Sequence, residues 1–294
     1  MTDLATVANR IRHHVVDMCA GPEGGHLGGS LSIVDILTVL YFQALKVAPD
    51  QPDAADRDIF LLSKGHGAIA LYATLAERGF FPVEELKTYG TSAGRLMGHP
   101  VRAVPGVEMP TGSLGHGLPL ALGFAYAARL QRAAANGQPE RSAGTVRRRR
   151  TVVLLGDGEL QEGSCWEAAM GAAALGLRDL VAIVDRNGLQ LTGSTEQLCP
   201  LEPLADRWAS FGWRVLEVDG HDHKALSVAL EEDGEPDDPR PGAPLAIIAH
   251  TEKAHGLSFV AGQVKSHYAA LSPRMAARAH RALDSAEPQV GGAG

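Results

Sequence analysis

The chain has 294 residues, 45% of them apolar, and its 27 basic and 34 acidic side chains leave a formal charge of −7. A chain of this size buries about three quarters of the surface its unfolded form exposes, so no disulfide or metal staple is needed for folding. The acidic balance disfavours nonspecific nucleic-acid binding, which depends on neutralising phosphates with Lys and Arg, and no apolar run approaches the roughly 18 residues of a membrane span.

In chain order, Leu4, Val7, Ile11, Val15 and Met18 recur at helical spacing until Gly21-Pro22 stops them. The stretch GPEGGHLGGS follows. Its glycines permit tight turns and close approach to a ligand, so it reads as a loop presenting His26. A second helix is expected from near Ser30 or Ser32, where Ser32 and Asp35 have capping-box character, and runs to Leu45. Strand patterns then fall at Ile59–Leu62, 151–155, 180–185, 213–218 and Leu245–His250. Between them lie helical patterns at Ala68–Arg78, 118–132 and 164–175, and after Asp222. Ser272-Pro273 opens the last helix as N-cap and first-turn proline. Segments 133–150 and 231–243 and the tail 285–294 read as mobile, being rich in Gly, Pro and charge, and the basic run at 147–150 reads as a solvated loop.

Alternating strands and helices point to an α/β fold. The near-continuous apolar character of 151–155, 180–185 and Leu245–His250 predicts a mostly parallel sheet covered by helices on both faces. No linker separates two domains, so residues 1–294 read as one. Cys19, Cys165 and Cys199 are odd in number and lack CxxC spacing, and the N-terminus has no secretion-signal pattern. A soluble, cytoplasmic protein in a reducing compartment is the expectation.

Chemistry concentrates at strand exits. Gly156-Asp157-Gly158 follows TVVLL directly, where an open α/β sheet binds its ligands. Such a triplet is also an ordinary turn. Asn187 follows the next strand, so two neighbouring strands would present a carboxylate and an amide oxygen together. These are hard oxygen ligands of the kind that bind Mg²⁺ or Ca²⁺, and magnesium commonly completes its shell with phosphate oxygens.

The span GDGELQEGSCWEAAMGAAALGLRDLVAIVDRN resembles the thiamine diphosphate motif. GGHLGGSLSIVDIL, DIFLLSKGHGAIALYATLAERG, GHPVRAVPGVEMPTGSLGHGLPLALGFA and LAIIAHTEKAHGLSF together resemble the N-terminal, diphosphate-binding half of transketolases, particularly the short chains of two-subunit forms. The resemblance implies the PP-module fold and thiamine diphosphate with Mg²⁺, Ca²⁺ being an alternative. It implies that Asp157, Asn187 and the Leu189 carbonyl hold the metal and that Gly158 meets the diphosphate. Gly112, Ser113 and Leu114 would lie against the cofactor, with serine where the family usually has proline. His66 would touch the cofactor, His26 and His99 would surround the reacting sugar, and His267 would lie near both. Glu162 would join a network linking paired active sites. Imidazoles suit such roles because they stabilise oxyanions and move protons near neutral pH. His13, His14, His221, His223 and His280 read as lacking convergent partners, while His116 and His255 receive no role.

The family's cofactor-activating glutamate belongs to a second, pyrimidine-binding module, and after Leu283 only about ten residues remain, too few for such a domain. The resemblance therefore implies a separate C-terminal transketolase-like partner chain in an α2β2 assembly. The pair would transfer a two-carbon ketol unit from a ketose or ketose phosphate to an aldehyde. A deoxyketose synthase or specialised two-carbon transferase with the same cofactor is the alternative enzyme reading. A noncatalytic assembly subunit is the alternative of another class.

Overall fold

The computed structural model describes residues 3–136, 148–231 and 242–286. At its centre lie β1 (Ile59–Leu62), β2 (Thr151–Gly156), β3 (Leu180–Arg186), β4 (Arg214–Asp219) and β5 (Leu245–His250). They form one parallel sheet in the order β1-β2-β3-β5-β4. Each strand appears where its apolar run predicts, within one residue at either end.

Register explains why these runs are apolar on both sides. Phe60, Val152, Val181 and Leu245 form one row across the sheet, and Leu61, Val153, Ala182 and Ala246 form the next. Successive side chains of a strand point to opposite faces. The first row enters a core built with α1 (Leu4–Cys19), α3 (Val34–Val39), α4 (Ala68–Arg78), α9 (His223–Glu231) and α10 (Pro273–Ala286). The second enters a core built with α5 (Gly117–Asn136), α6 (Gly163–Ala174) and α8 (Leu204–Ser210). The short α7 (Thr195–Leu198) and α8 occupy the β3-to-β4 connection, where the sequence pattern announces no helix. No described helix is long and apolar enough to cross a membrane.

The second helix departs from expectation. Helix α2 (Leu27–Leu31) begins directly after His26, so Gly28 and Gly29 are helical rather than part of the loop. Ser32 and Asp35 do not form a capping box: Ser32 Oγ donates to Asp185 Oδ2 at 2.8 Å, and Asp35 binds Arg12, His221 and His223. Tertiary partners thus recruit both polar side chains away from local capping.

Helix α5 extends through the first four residues of segment 133–150. Arg150, read as part of a solvated run, is partly buried; its backbone N–H donates to Asp58 Oδ1 at 2.9 Å and its Nη1 to the Leu230 carbonyl at 2.7 Å. Its position at the entry of β2, beside a buried carboxylate, explains the difference. The remaining expectations of mobility at 137–147, 232–241 and 287–294 lie outside the described residues.

The histidines read as partnerless are paired. His221 Nδ1 and His223 Nε2 each lie 2.8 Å from an Asp35 oxygen, and His255 stacks on His221 with ring centroids 3.6 Å apart. His13 and His280 meet through Nδ1 atoms at 2.7 Å, and His14 meets Glu77 at 2.9 Å. All these partners lie far away in sequence, which a linear pattern does not register.

Candidate active site

The carboxyl ends of β1, β2, β3 and β5 converge on a cavity of about 380 Å³ whose lining includes His26, Lys64, His66, Asp157, Asn187, Lys253 and His267. Gly112, Leu114, Gly158, Glu162 and Leu189 also line it. Of the residues given a role by the family motifs, only His99 and Ser113 stand outside this lining. His99 is exposed, with its ring centroid 5.9 Å from that of His26, and Ser113 is exposed beside Leu114.

On one wall, Asp157 caps β2. Its Oδ1 accepts the Gly158 N–H at 2.7 Å, and its Oδ2 accepts the Gly188 N–H at 2.6 Å and Arg186 Nη1 at 3.1 Å. Asn187 donates through Nδ2 to Asp185 Oδ2 at 2.9 Å, which turns its Oδ1 toward the Leu189 N–H at 3.1 Å. Gly188 has φ +75°, a left-handed conformation natural to glycine, and so lets the chain turn between Asn187 and Leu189. Burial, then the neighbouring Asp185 charge, raises the Asp157 pKa. Gln190 Oε1 is buried without a hydrogen-bond partner. Three hard oxygens, with a further unpartnered acceptor beside them, are the donor chemistry that suits a divalent cation.

The opposite wall is imidazole. Ring centroids of His26, His66 and His267 form a triangle with sides of 5.4 to 5.5 Å. Burial, reinforced by the cations and histidines around them, pushes His26 and His267 down to about 4 and His66 well below its ordinary value. All three are therefore neutral at pH 7. Gly29 makes room for this wall: a Cβ there would stand 3.1 Å from the His66 ring.

Two lysines to which the sequence motifs give no role join the walls. Lys64 Nζ pairs with Asp185 and donates to the Gly29 carbonyl at 2.9 Å. Lys253 Nζ donates to the Leu189 carbonyl at 3.2 Å and to His267 Nδ1 at 3.1 Å, a bond that requires neutral imidazole. Burial, then the Lys64 charge, lowers Lys253 to about 8. Glu159 is a further residue that sequence reasoning misses. It is buried, and its carboxylate accepts the Gly115 N–H at 2.9 Å and the Gly156 N–H at 3.1 Å, tying the 112–117 loop to the end of β2. Lys64 stands inside SKGHG and Glu159 inside GDGELQ, so position within the motifs is the available signal. Glu162 precedes α6 and is exposed at the rim, and His116 is exposed with Nδ1 3.2 Å from the Leu114 carbonyl.

A family model described as the transketolase thiamine diphosphate-binding domain matches residues 4–288. The chain belongs to this family. It is 40% identical to one subunit of the apulose-4-phosphate transketolase of Phocaeicola vulgatus, over 87% of this chain and 85% of that protein. It is 39% identical to a 6-deoxy-6-sulfo-D-fructose transketolase subunit from a Clostridium species, over 93% of each. Among solved transketolases, that of Leishmania mexicana superposes with a TM-score of 0.85 at 34% identity over 97% of this chain. The chain spans 42% of that longer protein. The shared architecture is the parallel α/β fold that the strand pattern predicts.

Proposed function

We propose that this chain is the diphosphate-binding subunit of a two-component, thiamine diphosphate-dependent transketolase, completed by a C-terminal, pyrimidine-domain partner in an α2β2 assembly. The carrying observation is the cavity itself, whose lining brings Asp157, Asn187 and Leu189 together with His26, His66 and His267. In this reading the three oxygens hold Mg²⁺ or Ca²⁺ and the Gly158 backbone receives the diphosphate. Gly112, Ser113 and Leu114 cover the cofactor, and Glu162 reaches toward the second active site.

When bound, thiamine diphosphate supplies the electron sink that makes cleavage beside a ketose carbonyl feasible. The chain supplies position and protons. His26 and His66, neutral and unable to repel a cationic cofactor, offer N–H donors to the oxygens of a donor ketose. His267, held as an acceptor by Lys253, presents its other ring nitrogen to the cavity, and His99 stands at its approach. Such placed acid–base groups typically contribute about 10²–10⁴ in rate. The names of the relatives favour ketoses bearing a distal phosphate or sulfonate. Three free cysteines support residence in the cytoplasm.

The test titrates thiamine diphosphate with Mg²⁺ into this chain, by itself and with a pyrimidine-domain partner, and follows binding and ketol transfer together. Both should appear with the partner; turnover by the chain without it would refute the two-component reading.

A further inference from the structure

The structure assigns to Arg186 a role outside the ligand set: we propose that it is a positioning residue that makes the metal site select Mg²⁺ over Ca²⁺. This rests on the proposed metal site at Asp157, Asn187 and Leu189.

Arg186 is 9% exposed and closes a ring of hydrogen bonds around that site. Its Nη1 donates to Asp157 Oδ2 at 3.1 Å and to Thr195 Oγ1 at 2.8 Å. The Thr195 N–H donates to the Gly188 carbonyl at 3.0 Å, and the Gly188 N–H returns to Asp157 Oδ2 at 2.6 Å. The guanidinium is itself fixed from behind, since Nη2 lies 2.8 Å from Glu196 Oε1 and 2.9 Å from Glu202 Oε1. One planar group therefore ties the carboxylate at the end of β2 to the 188–195 turn that carries the Leu189 carbonyl.

A positive charge beside a dication lowers affinity by simple repulsion, so charge alone gives no reason for an arginine here. Geometry does. Mg²⁺ demands a near-ideal octahedron at short distances, whereas Ca²⁺ accepts variable coordination at longer ones. A brace that stops Asp157 and the 188–189 backbone from drifting apart costs Ca²⁺ its adaptability and preserves the small site. Lysine cannot replace it, because a point ammonium does not span Asp157, Thr195 and two glutamates together.

The experiment measures dissociation constants of Mg²⁺ and Ca²⁺ for cofactor binding by calorimetry on the partner-complexed enzyme, comparing wild type with Arg186→Gln, Arg186→Lys and Thr195→Val. Groups that orient metal ligands typically contribute about 10–100-fold in affinity. Both Arg186 variants should lose Mg²⁺ affinity within that range while Ca²⁺ affinity changes by about threefold or less, shrinking the preference; Thr195→Val should shift it the same way by less. Affinity rising equally for both ions would mean that Arg186 acts through charge alone, and an equal fall would mean a general structural role; either result overturns the proposal. Thr195→Val removes one strut of the ring and keeps the guanidinium, so the ratio remains measurable if the arginine variants fail to fold. If wild type shows no metal-dependent cofactor binding, the proposed metal site itself fails; a normal wild type with unchanged ratios in the variants defeats this inference alone.

Discussion

Lys64 and Asp185 form an ion pair whose side chains are 1% and 0% exposed, joining the exit of β1 to the end of β3 across the intervening β2. Asp185 also accepts Ser32, Asn187 and Thr251, so its charge is both paired and hydrogen-bonded. Burial alone would raise its pKa, but Lys64 and these donors hold it below the usual carboxylate range. Lys64→Met should destabilise the chain by about 3–5 kcal/mol, because breaking a buried pair strands the remaining charge. Adding Asp185→Asn should recover a large part of that loss in urea unfolding; a double variant no more stable than the single one would contradict this account.

Asp157→Asn should abolish metal-dependent cofactor binding by the complexed enzyme. The substitution keeps shape but replaces an anionic oxygen with an amide, and it also breaks the Arg186 pair. A loss of at least about 100-fold in Mg²⁺ affinity is expected from charge and orientation together. Calorimetric titration of Mg²⁺ at saturating cofactor reads it directly.

Acid should weaken the fold through the imidazole wall. In the folded chain His26 and His267 titrate near 4, and His66 is depressed as well, whereas unfolded histidine titrates near 6.5. Between those values the unfolded chain binds protons that the folded chain refuses. Stability carried by these groups is present above about 6.5 and is lost as pH falls toward 4. The raised carboxyls of Asp157 and Glu159 act in the opposite sense, so the informative quantity is a difference. His66→Gln should flatten the fall in urea midpoint between pH 6.5 and 4.5; a slope identical to wild type would contradict the assignment.

Glu159→Gln should loosen the 112–117 loop. The carboxylate accepts from Ser63, Gly115 and Gly156, and an amide must turn one of its donors toward an N–H or O–H. About 1–3 kcal/mol of stability is at stake for such a buried mismatch. Hydrogen exchange at the Gly115 amide, measured with global stability, should show faster opening.

The strands were legible because β2, β3 and β5 are apolar at nearly every position, a pattern that parallel sheets produce and that no loop imitates. Asp157 and Asn187 were legible for the same reason, since each follows such a run directly. The start of α2 was not. Ser32 and Asp35 have local capping character, yet their partners lie 153 and 186 residues away. Arg186 was equally silent: its neighbours in sequence announce a metal site, while its own bonds to Asp157, Thr195, Glu196 and Glu202 depend on how two turns fold together.

The alternation of strand side chains between two apolar layers also bears on how this protein tolerates change. Val152, Leu154 and Ile183 belong to one layer, while Val153, Leu155 and Val184 belong to the other. A substitution in one set repacks against α1, α3 and α4, and a substitution in the other against α5 and α6. Variants confined to opposite faces share few contacts, so their effects should combine nearly additively. The helical layer beneath α5 and α6 can then be diversified as a separate library while the layer behind His26 and His66 is left intact.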